Sequence, residues 1–206
     1  ALLLAVLIDH ELRQGRHLRV ALAAPTGKAA ARMQEAIAGV LHNPEVAAHI
    51  PAEVAAQIAD LQPTTIHRML GSRGGSSQRF RHDEREQLPH EVVIIDEASM
   101  VSTPLLARVC EAVRPDARLV LIGDPDQLES VDRGRVLGDL VRASESAASP
   151  LHGRVVRLLR SHRFGGDSAV ARLANAIRTQ SYDDVSVTIP DGQVPVSYTH
   201  LRAHET

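Results

Sequence analysis

The chain has 206 residues, enough for one or two domains with a sizeable core. Only 2% of them are aromatic, so that core is aliphatic, and a net charge of −2 excludes a global basic field of the kind that coats nucleic acid, leaving room for a local groove. A single cysteine, Cys110, excludes an internal disulfide framework and fits a reducing cytosol. With no activating partner close in sequence, it reads as a thiol packed in a helix. Eleven histidines are scattered without metal-ligand spacing.

The opening run ALLLAVLI is too short to cross a membrane, lacks the leader and cleavage site of a signal peptide, and continues into the polar DHELRQG. It predicts a helix that begins before residue 1. RVALAAP (19–25) is a continuous apolar run, the pattern of a strand covered on both faces. It ends in Pro25-Thr26-Gly27-Lys28. A phosphate-cradling loop reads G-x-x-x-x-G-K-[ST], with glycines for the backbone wrap and a hydroxyl for Mg²⁺. Here Leu22 stands where the first glycine belongs and Ala29 where the hydroxyl belongs, so this is not a P-loop. Lys28 is the only lysine, against twenty-two arginines, so no other segment supplies one.

Helical spacing follows from Lys28 to Leu41, and residues 42–63, with Pro44, Pro51 and Pro63, read as a helical insertion. Thr65 stands where it can cap a helix starting IHRML. The Gly/Ser- and charge-rich segment 71–90 reads as a surface loop. EVVIIDEAS (91–99) is a second buried strand, and its terminal carboxylate pair fits the Walker B pattern: Asp96 to hold Mg²⁺ and Glu97 to orient or deprotonate water. A strand that simply ends in solvated acids is the plainer alternative. After a helix over Pro104–Val113, RLVLIGD (118–124) makes a third strand and the turn Gly123-Asp124. Gln127, three residues on, is suited to sensing a γ-phosphate by hydrogen bonding.

Strand, helix, strand, helix is a doubly wound α/β layout, a parallel sheet flanked by helices. Ligands in such sheets sit beyond the carboxyl ends of the strands. All three runs end there in polar or turn residues, which predicts one shared functional edge. ASESAASP (143–150) reads as a linker and RVVRLL (154–159) as the first strand of a second domain. The expected organisation is a first domain over 1–145, a linker and the start of a second over 146–195, and a tail over 196–206. That tail, VSYTHLRAHET, has no apolar period and resembles translated adapter or vector sequence.

APTGKAAARM, TTIHRMLG, VVIIDEASMV, LIGDPDQLESVDRGRVLGDL and LLRSHRF occur in the order found in superfamily 1 helicases, and over residues 1 to about 180 the chain resembles the RecD helicases of exonuclease V. The resemblance implies a RecA-like P-loop NTPase fold, truncated at its N-terminus, with the start of a second RecA-like domain. It implies ATP and Mg²⁺ as cofactors, single-stranded DNA as ligand, RecB-like and RecC-like partners, no membrane, and a cytoplasmic location. By the same likeness Thr26, Lys28, Thr65 and His67 contact the DNA strand. Asp96 and Glu97 match motif II, Gln127 matches motif III, and Arg163 looks like the motif IV arginine that reaches the γ-phosphate from the second motor domain. The family's P-loop and its motifs V and VI have no counterpart here. The expectation is therefore a fragment of a 5′–3′ helicase in recombinational repair, inactive by itself. Two alternatives stay open: the helicase region of a conjugative relaxase, and a non-hydrolysing DNA-binding remnant.

Overall fold

Four parallel strands form the sheet, β1 (Val20–Ala24), β2 (Thr64–Thr65), β3 (Val92–Ile95) and β4 (Arg118–Leu121), in the order β2-β1-β3-β4. The computed structural model describes residues 2–72, 80–125 and 136–158, so Gln127, Arg163 and the tail lie outside the described residues. The chain divides into a compact unit, Ala1–Pro150, and a second, Leu151–Thr206, of which only 151–158 are described.

The apolar runs sort their side chains by the two-residue period of a strand. Val20 and Leu22 of β1 and Val92 and Ile94 of β3 face one helical layer: α1 (Leu2–Arg13), α2 (Gly27–His42) and α4 (Ala52–Ala59). There they pack with Ile8, Ile37, Val54 and Ile58. Ala21, Ala23, Val93 and Ile95 face the other layer, built on α5 (Ile66–Met69) and α6 (Thr103–Ala112), with Ile66, Leu70, Leu106 and Val109. Two apolar clusters with the sheet between them make this a RecA-like α/β fold, as the sequence led us to expect. The insertion over 42–63 is helical, with α4 preceded by the short α3 (Pro44–Ala47), and Val54 and Ile58 make it part of the core.

Four expectations need correction. β4 is not covered on both faces: Arg118 is exposed, Leu119 to Leu121 are half-buried, and Ile122 just beyond is 47% exposed. It is the last strand in the order, and among the described residues no strand pairs with its outer side. Residues 154–158 form no strand; Val156 and Leu158 are 82% and 91% exposed, and the turn bond from the Arg154 N–H to the Leu151 carbonyl takes the place of a ladder. The segment 71–90 is not all surface, since Leu88 is buried and its N–H donates to the Ala112 carbonyl at 2.7 Å. Cys110 lies in α6 but on its exposed side, and partial burial of the sulfur, then Glu111, push its thiol pKa up, which favours the inert thiol.

Candidate functional site

Because the strands are parallel, their carboxyl ends share one edge, and the segments that follow line it in sheet order. Thr65 ends β2 and His67 follows it, Thr26 and Lys28 follow β1, Asp96 and Glu97 follow β3, and Gly123 and Asp124 follow β4. Neighbouring strands lie about 4.8 Å apart, so the edge is a row of adjacent stations.

At the first two stations each threonine begins a helix. Thr26, extended at φ −125° and ψ 155°, caps α2 by accepting the Ala29 N–H on Oγ1 at 3.2 Å, and its carbonyl accepts the Ala30 N–H at 3.1 Å. Thr65 caps α5 in the same way, its Oγ1 accepting the Arg68 N–H at 3.3 Å. A capping hydroxyl uses an oxygen lone pair and keeps its proton, so it can still donate. Lys28 is exposed in the first turn of α2 with no carboxylate partner among the described residues, in the positive field of a helix N-terminus. A side chain at Gly27 would meet nothing within 4 Å, so the approach to this terminus is open. His67 is half-buried and rests against Phe80, ring centroids 5.8 Å apart and tilted by 56°.

The third station is the most constrained. The Asp96 N–H donates to the Ala23 carbonyl at 2.9 Å, on the β1 side. Two residues on, the Ala98 N–H donates to the Ile122 carbonyl at 2.8 Å, on the β4 side, while the Ile122 N–H donates to the Ile95 carbonyl at 2.8 Å. The chain thus changes partners across Glu97 and enters a 3₁₀ turn, Ala98–Met100. Glu97 turns the corner at φ 53° and ψ 39°, left-handed, and is the only non-glycine residue with positive φ among those described. That conformation costs a side-chain-bearing residue about 1–2 kcal/mol. Asp96 Oδ1 accepts the Glu97 N–H at 3.0 Å, which fixes the aspartate and leaves Oδ2 without a partner among the described residues. The half-buried Glu97 carboxylate has no hydrogen-bond or ion-pair partner among them either.

The fourth station closes the corner. A side chain at Gly123 would meet Leu137 Cδ2 at 2.8 Å, the Ser99 nitrogen at 2.9 Å and the Ala98 nitrogen at 3.1 Å. The sequence marked Gly123 only as a turn; its packing against the residues after Glu97 leaves no periodic signal. Leu137 belongs to α7 (Val136–Ser144), which packs on the 3₁₀ turn.

One freed carboxylate oxygen at a strand end suits Mg²⁺ that arrives with a nucleotide, since Mg²⁺ keeps several waters and takes one or two carboxylates plus phosphate oxygens. It does not suit a metal held by protein alone, and no group of three or more His, Cys, Asp or Glu side chains able to hold a metal ion exists among the described residues. The donor set therefore fits Mg²⁺ brought by a nucleoside triphosphate.

A central strand ending in this carboxylate pair, with capped helix N-termini along the same edge, defines a RecA-like module of the P-loop NTPase class. Comparison with known proteins agrees. A family model described as an AAA domain matches residues 2–196. The RecBCD enzyme subunit RecD of Mycolicibacterium smegmatis is 43% identical over 201 residues, 97% of this chain and 34% of that protein. The subunit of the same name from Mycobacterium tuberculosis H37Rv is 44% identical over 199 residues, 96% of this chain and 32% of that protein. The ATP-dependent RecD2 DNA helicase of Deinococcus radiodurans is 37% identical over 217 residues, 94% of this chain and 27% of its own length. The chain belongs to the AAA domain family, and over nearly all of its length it is similar to RecD helicase sequences. It spans about a third of the length of these curated relatives.

Proposed function

We propose that this chain is part of an ATP-dependent 5′–3′ DNA helicase that works in recombinational double-strand break repair, in the cytoplasm, with RecB-like and RecC-like subunits. The observation that carries the reading is the Asp96-Glu97 corner, a strained strand end with one carboxylate fixed and the next free of partners among the described residues. The relatives' names, RecBCD enzyme subunit RecD and ATP-dependent RecD2 DNA helicase, support the same activity.

In this reading residues 1–145 are most of a first motor domain, 146–195 the linker and the start of a second, and 196–206 a non-native tail. The P-loop is supplied by sequence outside the chain. Asp96 holds the nucleotide's Mg²⁺, which neutralises charge building on the phosphates. Glu97 takes the proton of the attacking water or orients that water, a role worth about 10²–10⁴ in rate. Gln127 reports the γ-phosphate to the DNA edge. Arg163 stabilises transition-state charge when the two motor domains close, an effect worth about 10³–10⁵ in other phosphoryl-transfer proteins. Thr26, Lys28, Thr65 and His67 grip phosphates of single-stranded DNA. With few aromatic residues for base stacking, backbone contact is the stronger expectation.

The test is DNA-stimulated ATP hydrolysis by the full-length protein with its partner subunits. Glu97→Gln should lower turnover by about 10²–10⁴-fold, leaving a measurable residue, and leave nucleotide binding intact. A full-length protein that binds single-stranded DNA and hydrolyses nothing would instead be a binding remnant. The 206-residue chain by itself should neither hydrolyse ATP nor unwind DNA, and turnover by it that Glu97→Gln removes would overturn the assignment of the P-loop to outside sequence. An upstream domain with a tyrosine nucleophile and a histidine cluster would point to a conjugative relaxase.

A further inference from the structure

Glu97 occupies a conformation that its own side chain disfavours, so neighbouring groups must hold it there. The bonds on its N-terminal side, from Asp96 to Ala23 and within the Asp96-Glu97 pair, fix the entry to the corner. On the exit side the Met100 N–H closes the local turn on the Glu97 carbonyl at 3.0 Å, and one bond ties the exit to β4, from the Ala98 N–H to the Ile122 carbonyl at 2.8 Å. That bond forms only if the backbone after Ile122 can lie against the amides of Ala98 and Ser99. A Cβ at position 123 would stand 2.9 Å from one of those nitrogens and 3.1 Å from the other. Both belong to backbone that is hydrogen-bonded or wound into the 3₁₀ turn, so neither can step aside cheaply. The third neighbour, Leu137 Cδ2, is the end of a flexible side chain. Gly123 has no positive φ; what this position requires is space.

We infer that Gly123 is a positioning residue: by carrying no side chain it lets the end of β4 clamp the exit of the Asp96-Glu97 corner and so aims the Glu97 carboxylate. The inference rests on the proposed role of Glu97 in activating water. It also ties the β4 end, from which Gln127 follows, to the reacting carboxylate through a single backbone hydrogen bond, so that a displacement of β4 is felt at Glu97 within one residue.

The experiment is a double-mutant cycle in the full-length protein with its partner subunits, reading kcat and KM for ATP with saturating single-stranded DNA. Gly123→Ala should lower kcat by about 10²-fold, the scale of a misplacement near 1 Å, with KM and nucleotide affinity within about twofold. Added to Glu97→Gln, it should cost less than about threefold more, because both act through one carboxylate. Leu137→Ala alone should keep turnover, and it should not rescue Gly123→Ala; rescue would place the effect in side-chain crowding and overturn the inference, as would multiplicative losses or unchanged kcat. If Glu97→Gln itself leaves turnover intact, the failure lies in the reading of Glu97. A measurement on the unaltered protein stands apart from any folding defect of the variant: the Ala98 amide should exchange with solvent as slowly as the amides of β3, and fast exchange would remove the clamp.

Discussion

Glu97 carries two opposing demands, a side chain for chemistry and a backbone angle that favours glycine. Comparing Glu97→Gly with Glu97→Ala separates them, since both remove the carboxylate and only alanine keeps the Cβ. If the turn is held at φ 53°, the glycine variant should be the more stable by about 1 kcal/mol in denaturant unfolding of the full-length protein. Equal stabilities would mean that the corner relaxes when the carboxylate goes. The sequence singled this residue out for its proposed chemistry, because an acid pair closing an apolar run fits the Walker B pattern. Its conformation was not legible there. Glutamate has no preference for the left-handed region, and the force that puts it there comes from bonds to β1 and β4, distant in sequence.

Among the elements, the caps of α2 and α5 show structure and proposed contact sharing one side chain. Thr26→Ala and Thr65→Ala should each cost about 1 kcal/mol of stability through the lost cap. Lys28 has no such structural duty, so Lys28→Ala should leave stability unchanged and lower the salt slope of single-stranded DNA binding by about one. An unchanged slope would remove Lys28 from the interface. The opposite end of the sheet sets the response to acid. Arg19, ahead of β1, donates through its N–H and its guanidinium to Glu91, ahead of β3, at 2.7 and 2.9 Å, and the Arg19 side-chain bond holds the Glu91 pKa down. Next to it, burial first, then the charges of Arg19 and His82, hold the His90 pKa down, against a smaller opposing effect of Glu91, and its Nδ1 is buried without a partner. Both groups bind fewer protons folded than unfolded, so both contribute stability that is lost as pH falls. The His90 share fades below its ordinary 6.5 and the Glu91 share below its ordinary 4.5. Melting temperature should therefore drop in two acid steps, and His90→Gln should remove the upper one alone.

At the scale of the whole molecule, long apolar runs announced three strands and their order in the chain, and the parallel ladder then brought Thr26, Lys28, Thr65, His67, Asp96 and Glu97 to one edge. β2 escaped notice because two residues carry no period, and its place beside β1 depends on where the inserted α3 and α4 return the chain. Residues 154–158 had the composition of a strand but no ladder among the described residues, and composition cannot supply a neighbour. β4 shows the same principle from the other side. Its Arg118 and Ile122 amides donate to Glu91 and Ile95 of the β3 segment. The alternation of a parallel strand then turns the Leu119 and Leu121 amides to the outer edge, where no strand pairs with them among the described residues. An unpaired, half-buried strand edge is a poor end for a sheet whose proposed catalytic corner lies one strand inside it. If the proposed P-loop comes from outside sequence on a strand of its own, this edge is its seat, next to the strand that clamps Glu97. Amide exchange then has a definite pattern. In the 206-residue chain Leu119 and Leu121 should exchange fast while Ile95 and Ala98 are protected; in the full-length protein all four should be slow. Fast exchange of Leu119 and Leu121 in both would mean that β4 is the true end of the sheet, and the nucleotide's phosphates would have to be held from elsewhere.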